Sequence, residues 1–219
     1  MLPPVYMLVC DEIPGRRAVA EAHLKERGVN ATFWRGFHGV TWGLETSKEY
    51  DPGKRLPPGH VGLNLGSYAL WQHAYLDNEH PHLGDGLGTA PIIFLEDDAV
   101  LSPRFQEVFV KAWAELDALR HGWDLLYLGG NHGNDTITRL SRHIIRPTYS
   151  LDLHGVAMSE RAFEVISAIE PSAEHTIDGV IAERQRKGEL RVLAITPSII
   201  LQKVGWSYNE NRNVNRSEN

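Results

Sequence analysis

The sequence predicts an α/β fold in which a mostly parallel central sheet is flanked by helices. Three observations point there. A short apolar run with no polar face stands at residues 5–10, as a strand buried on both sides requires, and further strand-like runs stand at 92–95 and 123–128. Stretches with helical spacing of apolar positions separate them, so strand and helix alternate along the chain. The 219 residues, 42% of them hydrophobic, suffice for one sizeable core. One domain over residues 1–208 is expected, followed by a polar tail at 209–219 expected to be mobile.

Val5-Tyr6-Met7-Leu8-Val9-Cys10 reads as the first buried strand, and Pro14-Gly15 turns the chain into a helix over 16–27. There Ala18, Val19, Ala22 and Leu24 recur at roughly helical spacing, and Gly28 stands where a helix terminator belongs. Thr32-Phe33-Trp34-Arg35 is a second strand. Residues 36–60 carry Gly, Pro and charge without a period and read as a surface loop. Leu65, Ala69, Leu70, Trp71 and Ala74 predict a helix over 63–76, and 77–90 is a second loop. Loops of this length inside a compact domain usually serve function.

Ile92-Ile93-Phe94-Leu95 is the clearest buried strand, and it ends abruptly in Glu96-Asp97-Asp98. Ser102 as N-cap and Pro103 at the first helical position predict a helix reaching about residue 119. The strand at 123–128 closes at Gly129-Gly130. Strands near 143–147 and 153–158, helices over 159–169 and 177–187, and a last strand at 190–195 complete the pattern. The chain has no internal repeat.

Charge and composition exclude several classes. With 22 basic against 28 acidic residues the net charge is −6, which disfavours a broad grip on nucleic-acid phosphates. Cys10 is the only cysteine, so neither an intramolecular disulfide nor a thiolate zinc cluster is available, as suits a reducing compartment. No basic leader precedes an apolar stretch, and no window approaches the roughly 18 apolar residues of a membrane span. A soluble, cytoplasmic protein is expected.

Three adjacent carboxylates at the carboxyl end of a buried strand raise one another's pKa unless a cation neutralises them. In an extended segment Glu96 and Asp98 share one side and Asp97 takes the other, so two carboxylates can address a hard ion and a ribose hydroxyl together. Open α/β sheets also place ligands at this end of their strands. The competing reading is a solvated acidic turn ahead of a helix N-terminus.

The run PIIFLEDDAVLSPRF closely resembles the strand-EDD-loop-helix signature of glycosyltransferase family 25, which includes lipooligosaccharide and collagen galactosyltransferases. VYMLVCDEIPGRR looks like that family's first strand and arginine-bearing loop, with Arg16 at the arginine near the nucleotide. WRGFHG resembles its short motif ending in Asp-Gly, His38 replacing the acid. GHVGLNLGSYALWQHA matches at Gly59, Gly62 and Trp71, while Gly66-Ser67 stands where the family usually has Ser-His. LHGVAMSERAFEVI matches at His154 and Ser159, and Val156 takes the place of a tyrosine. Thr176-Ile177-Asp178 looks like Pro-Ile-Asp, and TPSIILQKVGWS like the closing segment.

That resemblance implies a GT-A fold, a nucleoside-diphosphate sugar donor such as UDP-galactose, and inversion at the anomeric carbon in glycan biosynthesis. Asp98, with Glu96, would hold Mn²⁺ or Mg²⁺ against the diphosphate, in the Lewis-acid role of a catalytic metal. Arg16, Glu96, Asp97, His154 and Gln202 are the candidate donor-binding residues. Asp178 is the candidate base, since inversion needs a carboxylate to take the acceptor hydroxyl proton; it equally suits a first-turn helix acid. Asp152 is the substitute. Arg17 reads as a solvated arginine and His154 as a packed strand residue if not a ligand contact. The acceptor is a glycan, a lipid-linked sugar or a protein hydroxyl, a nucleic-acid acceptor being disfavoured. His73, His80 and His82 lack the spacing of a zinc site. Trp42 and Trp206 could stack on a sugar. The rival functions are a sugar-nucleotide hydrolase and a catalytically dead sugar-nucleotide binding module.

Overall fold

The structure, a computed structural model, describes residues 2–39, 56–79, 91–133, 137–168, 175–203, 205–207 and 212–214. The first half runs β1 (Val5–Val9), α1 (Arg16–Glu26), β2 (Thr32–Arg35), α2 (Pro58–Glu79), β3 (Ile92–Glu96), β4 (Ala99–Leu101) and α3 (Phe105–Leu119). It continues through β5 (Leu125–Tyr127), β6 (Thr138–Arg139), β7 (Ile144–Arg146), β8 (Gly155–Met158), α4 (Glu160–Ser167) and α5 (Ile177–Arg186). β9 (Val192–Ile195), β10 (Ile200–Gln202), β11 (Gly205–Ser207) and β12 (Arg212–Val214) follow.

The central sheet has eight strands in the order β2-β1-β3-β8-β5-β9-β7-β6. β1 pairs parallel with β2 and β3, and β5 pairs parallel with β9. β8 and β7 run against their neighbours, and the other strands point one way. The α/β class with helices on both sheet faces is therefore as expected, with two reversed strands set into the parallel frame.

Alternation along each strand explains why the apolar runs have no polar face. Val5, Met7 and Val9 join Ile93, Leu95, Leu126 and Leu193 in one core layer under α1 and α3, where Leu24, Phe105, Phe109 and Leu116 close it. Tyr6 and Leu8 face the opposite layer with Phe94, Tyr127 and Val156, covered by Leu70 and Trp71 of α2, Phe163 of α4 and Ile181 of α5.

Boundaries shift where local signals mislead. α2 begins at Pro58 rather than near residue 63, because proline suits a first helical position whose N–H has no partner anyway. α3 begins at Phe105, not at Ser102-Pro103. Ser102 instead caps a turn, its Oγ accepting from Arg104 N at 3.2 Å and its carbonyl from Phe105 N at 2.9 Å. Within the expected tail, Arg212–Val214 pair antiparallel with Gly205–Ser207; the rest of 209–219 lies outside the described residues. Among the described residues no helix is long and apolar enough to cross a membrane.

Candidate functional site

The acidic triplet sits where β3 ends beside the end of β1, with Leu8 level with Glu96. That parallel register carries Asp97 to the turn after β1. Asp97 Oδ2 accepts from Cys10 N at 3.1 Å, and Oδ1 pairs with Arg16, the first residue of α1. Gly15, at φ 81°, supplies the left-handed turn that sends the chain into α1 there. Asp97 is thus an anchor between β3 and the β1–α1 turn. Burial pushes its carboxyl up to about 6, against the opposing pull of the Arg16 guanidinium and the Cys10 N–H.

Asp98 is held differently. β4 pairs antiparallel with β10, and this register sets Gln202 beside Ala99. Gln202 Nε2 donates to Asp98 Oδ2 at 2.9 Å, and Lys203 N to the Asp98 carbonyl at 2.8 Å. Asp98 Oδ1 and Gln202 Oε1 are buried and accept no hydrogen bond among the described residues. A pair of orphaned oxygens on hydrogen-bonded side chains is what a bound cation, or water, resolves. The residues 97–98 form a turn, so it is a turn rather than strand alternation that separates Asp97 from Asp98.

Glu96 lies at the centre of the negative charge. Burial raises its pKa well above the usual carboxylate range, and Asp98, Asp178, Asp97 and Asp152 push it further. Its N–H donates to the His154 carbonyl at 3.2 Å, a bond made possible because β8 runs antiparallel beside β3. His154 is buried, its ring packed over Gly129, where a Cβ would stand 2.8 Å from Nε2. It touches the site through its carbonyl.

Asp178 lies in the first turn of α5, whose N-cap is Thr176. Its Oδ1 accepts from Gly179 N at 2.9 Å and its Oδ2 from Asp152 N at 3.5 Å. Asp152 adopts the left-handed conformation, φ 64°. Asp178 is thus a first-turn acid, and its charge acts on Glu96 from there.

Several residues here carried no sequence signal. Asn64, 2% exposed inside α2, accepts from Ile177 N at 2.9 Å and donates to the His175 carbonyl at 3.1 Å, clamping the start of α5. A lone helix asparagine reads as a surface residue, and only the contact across more than a hundred residues reveals it. Tyr127, fully buried, has a hydroxyl with no partner among the described residues, and its pKa is raised by burial, then by Asp178 and Asp152. His132, 3.1 Å from Ser150 Oγ through Nδ1, is pushed down to about 4 by burial and His154, so it is neutral.

Arg16, Glu96, Asp97 and Asp98 line one cleft of about 660 Å³, counting space open to solvent, with Phe37 and His38. Gly59, Gly62 and Leu63, in the first two turns of α2, also line it. A Cβ on Gly62 would stand 2.9 Å from Gly39 N and 3.2 Å from the Phe37 carbonyl carbon. Of the departures from the family pattern, Gly66 abuts Leu8, Ser67 is 1% exposed and Val156 is in the core, while His38 lines the cleft. Arg17 is not in the cleft; it pairs with Asp11 at 2.6 Å and covers the Phe33 ring. His73 packs on Trp34. Trp42, His80, His82 and the Trp206 side chain lie outside the described residues. Among the described residues no three His, Cys, Asp or Glu side chains form a metal cluster by themselves.

Fold and cleft define a class: an α/β protein whose acidic strand end adjoins a cleft. No protein-family model matches the chain. Over 116 residues, half of this chain, it is 27% identical to the Bos taurus protein named "Probable inactive glycosyltransferase 25 family member 3". The match spans 18% of that protein's length. The chain thus bears a distant likeness to a glycosyltransferase, and to only a small part of it.

Proposed function

We propose that this protein transfers a hexose, galactose or a relative, from a nucleoside-diphosphate sugar to an acceptor hydroxyl, with inversion. The observation that carries the reading is the pair of orphaned oxygens, Asp98 Oδ1 and Gln202 Oε1, set among the carboxylates that surround Glu96. Hard oxygen donors of this kind fit Mn²⁺ or Mg²⁺, with diphosphate oxygens and water completing a shell that two or three side chains leave open. When bound, the cation supplies positive charge to the departing diphosphate.

The chain's own residues do the rest. Asp98 and Gln202 would hold the metal, with Glu96 beside them for metal or ribose. Asp97 fixes Arg16 at the cleft wall, where the guanidinium offers planar donors to phosphate or a uracil edge. Asp178, oriented by the Gly179 and Asp152 N–H groups, takes the proton of the attacking hydroxyl. The acceptor is a glycan, a lipid-linked sugar or a protein.

A second reading is a sugar-nucleotide binding module without turnover. The cattle relative is named a probable inactive family member, and Ser67 and Val156 are two positions given over to packing here. Equilibrium binding of UDP-galactose with and without Mn²⁺, and UDP release with and without an acceptor panel, separate the possibilities. Mn²⁺-dependent binding and acceptor-dependent release are expected. Asp98→Asn should abolish the metal dependence of binding; unchanged dependence refutes the metal assignment. Asp178→Asn should keep binding and lose transfer; a full transfer rate refutes it as base. Binding without release identifies the silent module, and release indifferent to acceptor identifies a hydrolase.

A further inference from the structure

We propose a second ligand site, for a saccharide bearing an acid group, at the end of the sheet opposite the triplet. It is independent of the nucleotide-sugar reading. β5 and β9 begin there side by side, Leu125 level with Val192, and Arg146 of β7 lies level with Thr138 of β6. Between these strand ends and the end of α5 lies a cleft of about 1250 Å³, counting space open to solvent.

Among the described residues the lining contains Arg146, Arg186, Arg191 and His121 and no acidic residue, on a chain whose net charge is −6. Arg146 has no carboxylate partner among the described residues. Arg186 lies on the face of Tyr149, 4.5 Å from its centroid, which holds the guanidinium in place; Glu183, 3.7 Å away, offsets its charge only weakly. Arg191 is tied to Asp124 at 2.7 Å, but Arg161 shares that carboxylate at 2.6 Å, so two cations meet one buried anion. The cleft therefore keeps a positive surplus that planar guanidinium donors direct at phosphate or carboxylate.

Gln185 adds the second requirement. It is nine-tenths buried in the same lining, and its Nε2 donates to the Pro147 carbonyl at 2.8 Å. Its Oε1 is buried with no donor among the described residues. A fully deprotonated anion such as sulfate cannot satisfy that oxygen, because its oxygens only accept. A ligand with both an acid group and hydroxyls can, and the hydroxyls of Thr138 and Thr148 in the lining suit the same chemistry. Nucleic acid fits less well: the Tyr149 face that a base would stack on is already covered by Arg186.

The test is calorimetric titration of the full chain at low salt with glucose 6-phosphate, glucuronic acid, sulfate and glucose. One or both acidic sugars should saturate, which tells phosphate from carboxylate, while sulfate and glucose bind at least about ten-fold more weakly. Arg146→Ala and Arg186→Ala, both at exposed positions, should each weaken binding about ten-fold, and Gln185→Leu should reduce the preference over sulfate. Asp98→Asn should leave the affinity unchanged, which keeps this result apart from the donor site. Equal binding of sulfate, tighter binding of a short DNA strand, loss of binding in Asp98→Asn, or no saturation by about 20 mM would each overturn the proposal.

Discussion

Replacing Asn64 by alanine strands the buried Ile177 N–H and removes the donor to the carbonyl of His175, an exposed residue. The unsatisfied N–H costs roughly 1–3 kcal/mol and the second lost bond roughly 0.5–1.5 kcal/mol, so the loss is roughly 2–5 kcal/mol. Against the roughly 5–15 kcal/mol that a domain has, this is large without being fatal in most of the range. At about 2–4 °C per kcal/mol for a chain of this size, the thermal midpoint should fall by roughly 5–20 °C. The damage should also be local, because these two bonds flank Thr176 and lead directly to Asp178. In the variant, transfer rate should fall more than donor affinity, since the triplet and its cleft do not touch the lost bonds. Thermal unfolding followed by circular dichroism, with donor binding and UDP release on the same preparation, reads both. A midpoint within about 2 °C of the parent and an unchanged transfer rate would refute the clamp.

Asp97 and Gly62 supply two further predictions. A carboxyl raised from 3.8 to about 6 binds its proton more tightly in the folded state; its stabilisation is complete below pH 3.8 and is lost as pH rises through about 6. Two units correspond to about 3 kcal/mol, so Asp97→Asn, neutral throughout, should gain that much on the parent between about pH 4 and pH 7, whatever constant offset the unpaired Arg16 adds. Urea unfolding across this range checks it, and a pH-independent difference sinks it. Gly62→Ala would ordinarily stabilise a helix by up to about 1 kcal/mol. Here the new methyl meets the backbone at Phe37 and Gly39, so a net loss of roughly 1–3 kcal/mol and weaker UDP-galactose binding are expected. A rise in thermal midpoint would show that the 37–39 segment yields freely.

The sequence by itself determined the α/β alternation, the buried β3 strand with its acidic end, and the helix that begins at Ile177. Each is a local pattern: an apolar run too short for a helix, carboxylates where the run stops, a first-turn acid ahead of apolar positions at helical spacing. Even Gln202 was legible as the polar end of an apolar segment, and Asp178 as an acid in a first turn. Tertiary structure alone decided what these residues meet. Gln202 reaches Asp98 across 104 positions because the three-residue strands β4 and β10 pair, and strands so short leave no period to read. The reversed strand β8 brings His154 behind Glu96 and Asp152 toward Asp178. Asn64 spans 113 positions to Ile177. Local propensity and periodicity act over a turn or a strand, while pairing register and a buried amide's choice of partner arise only when the whole core closes; that is why the acidic end was visible in the chain and its companions were not.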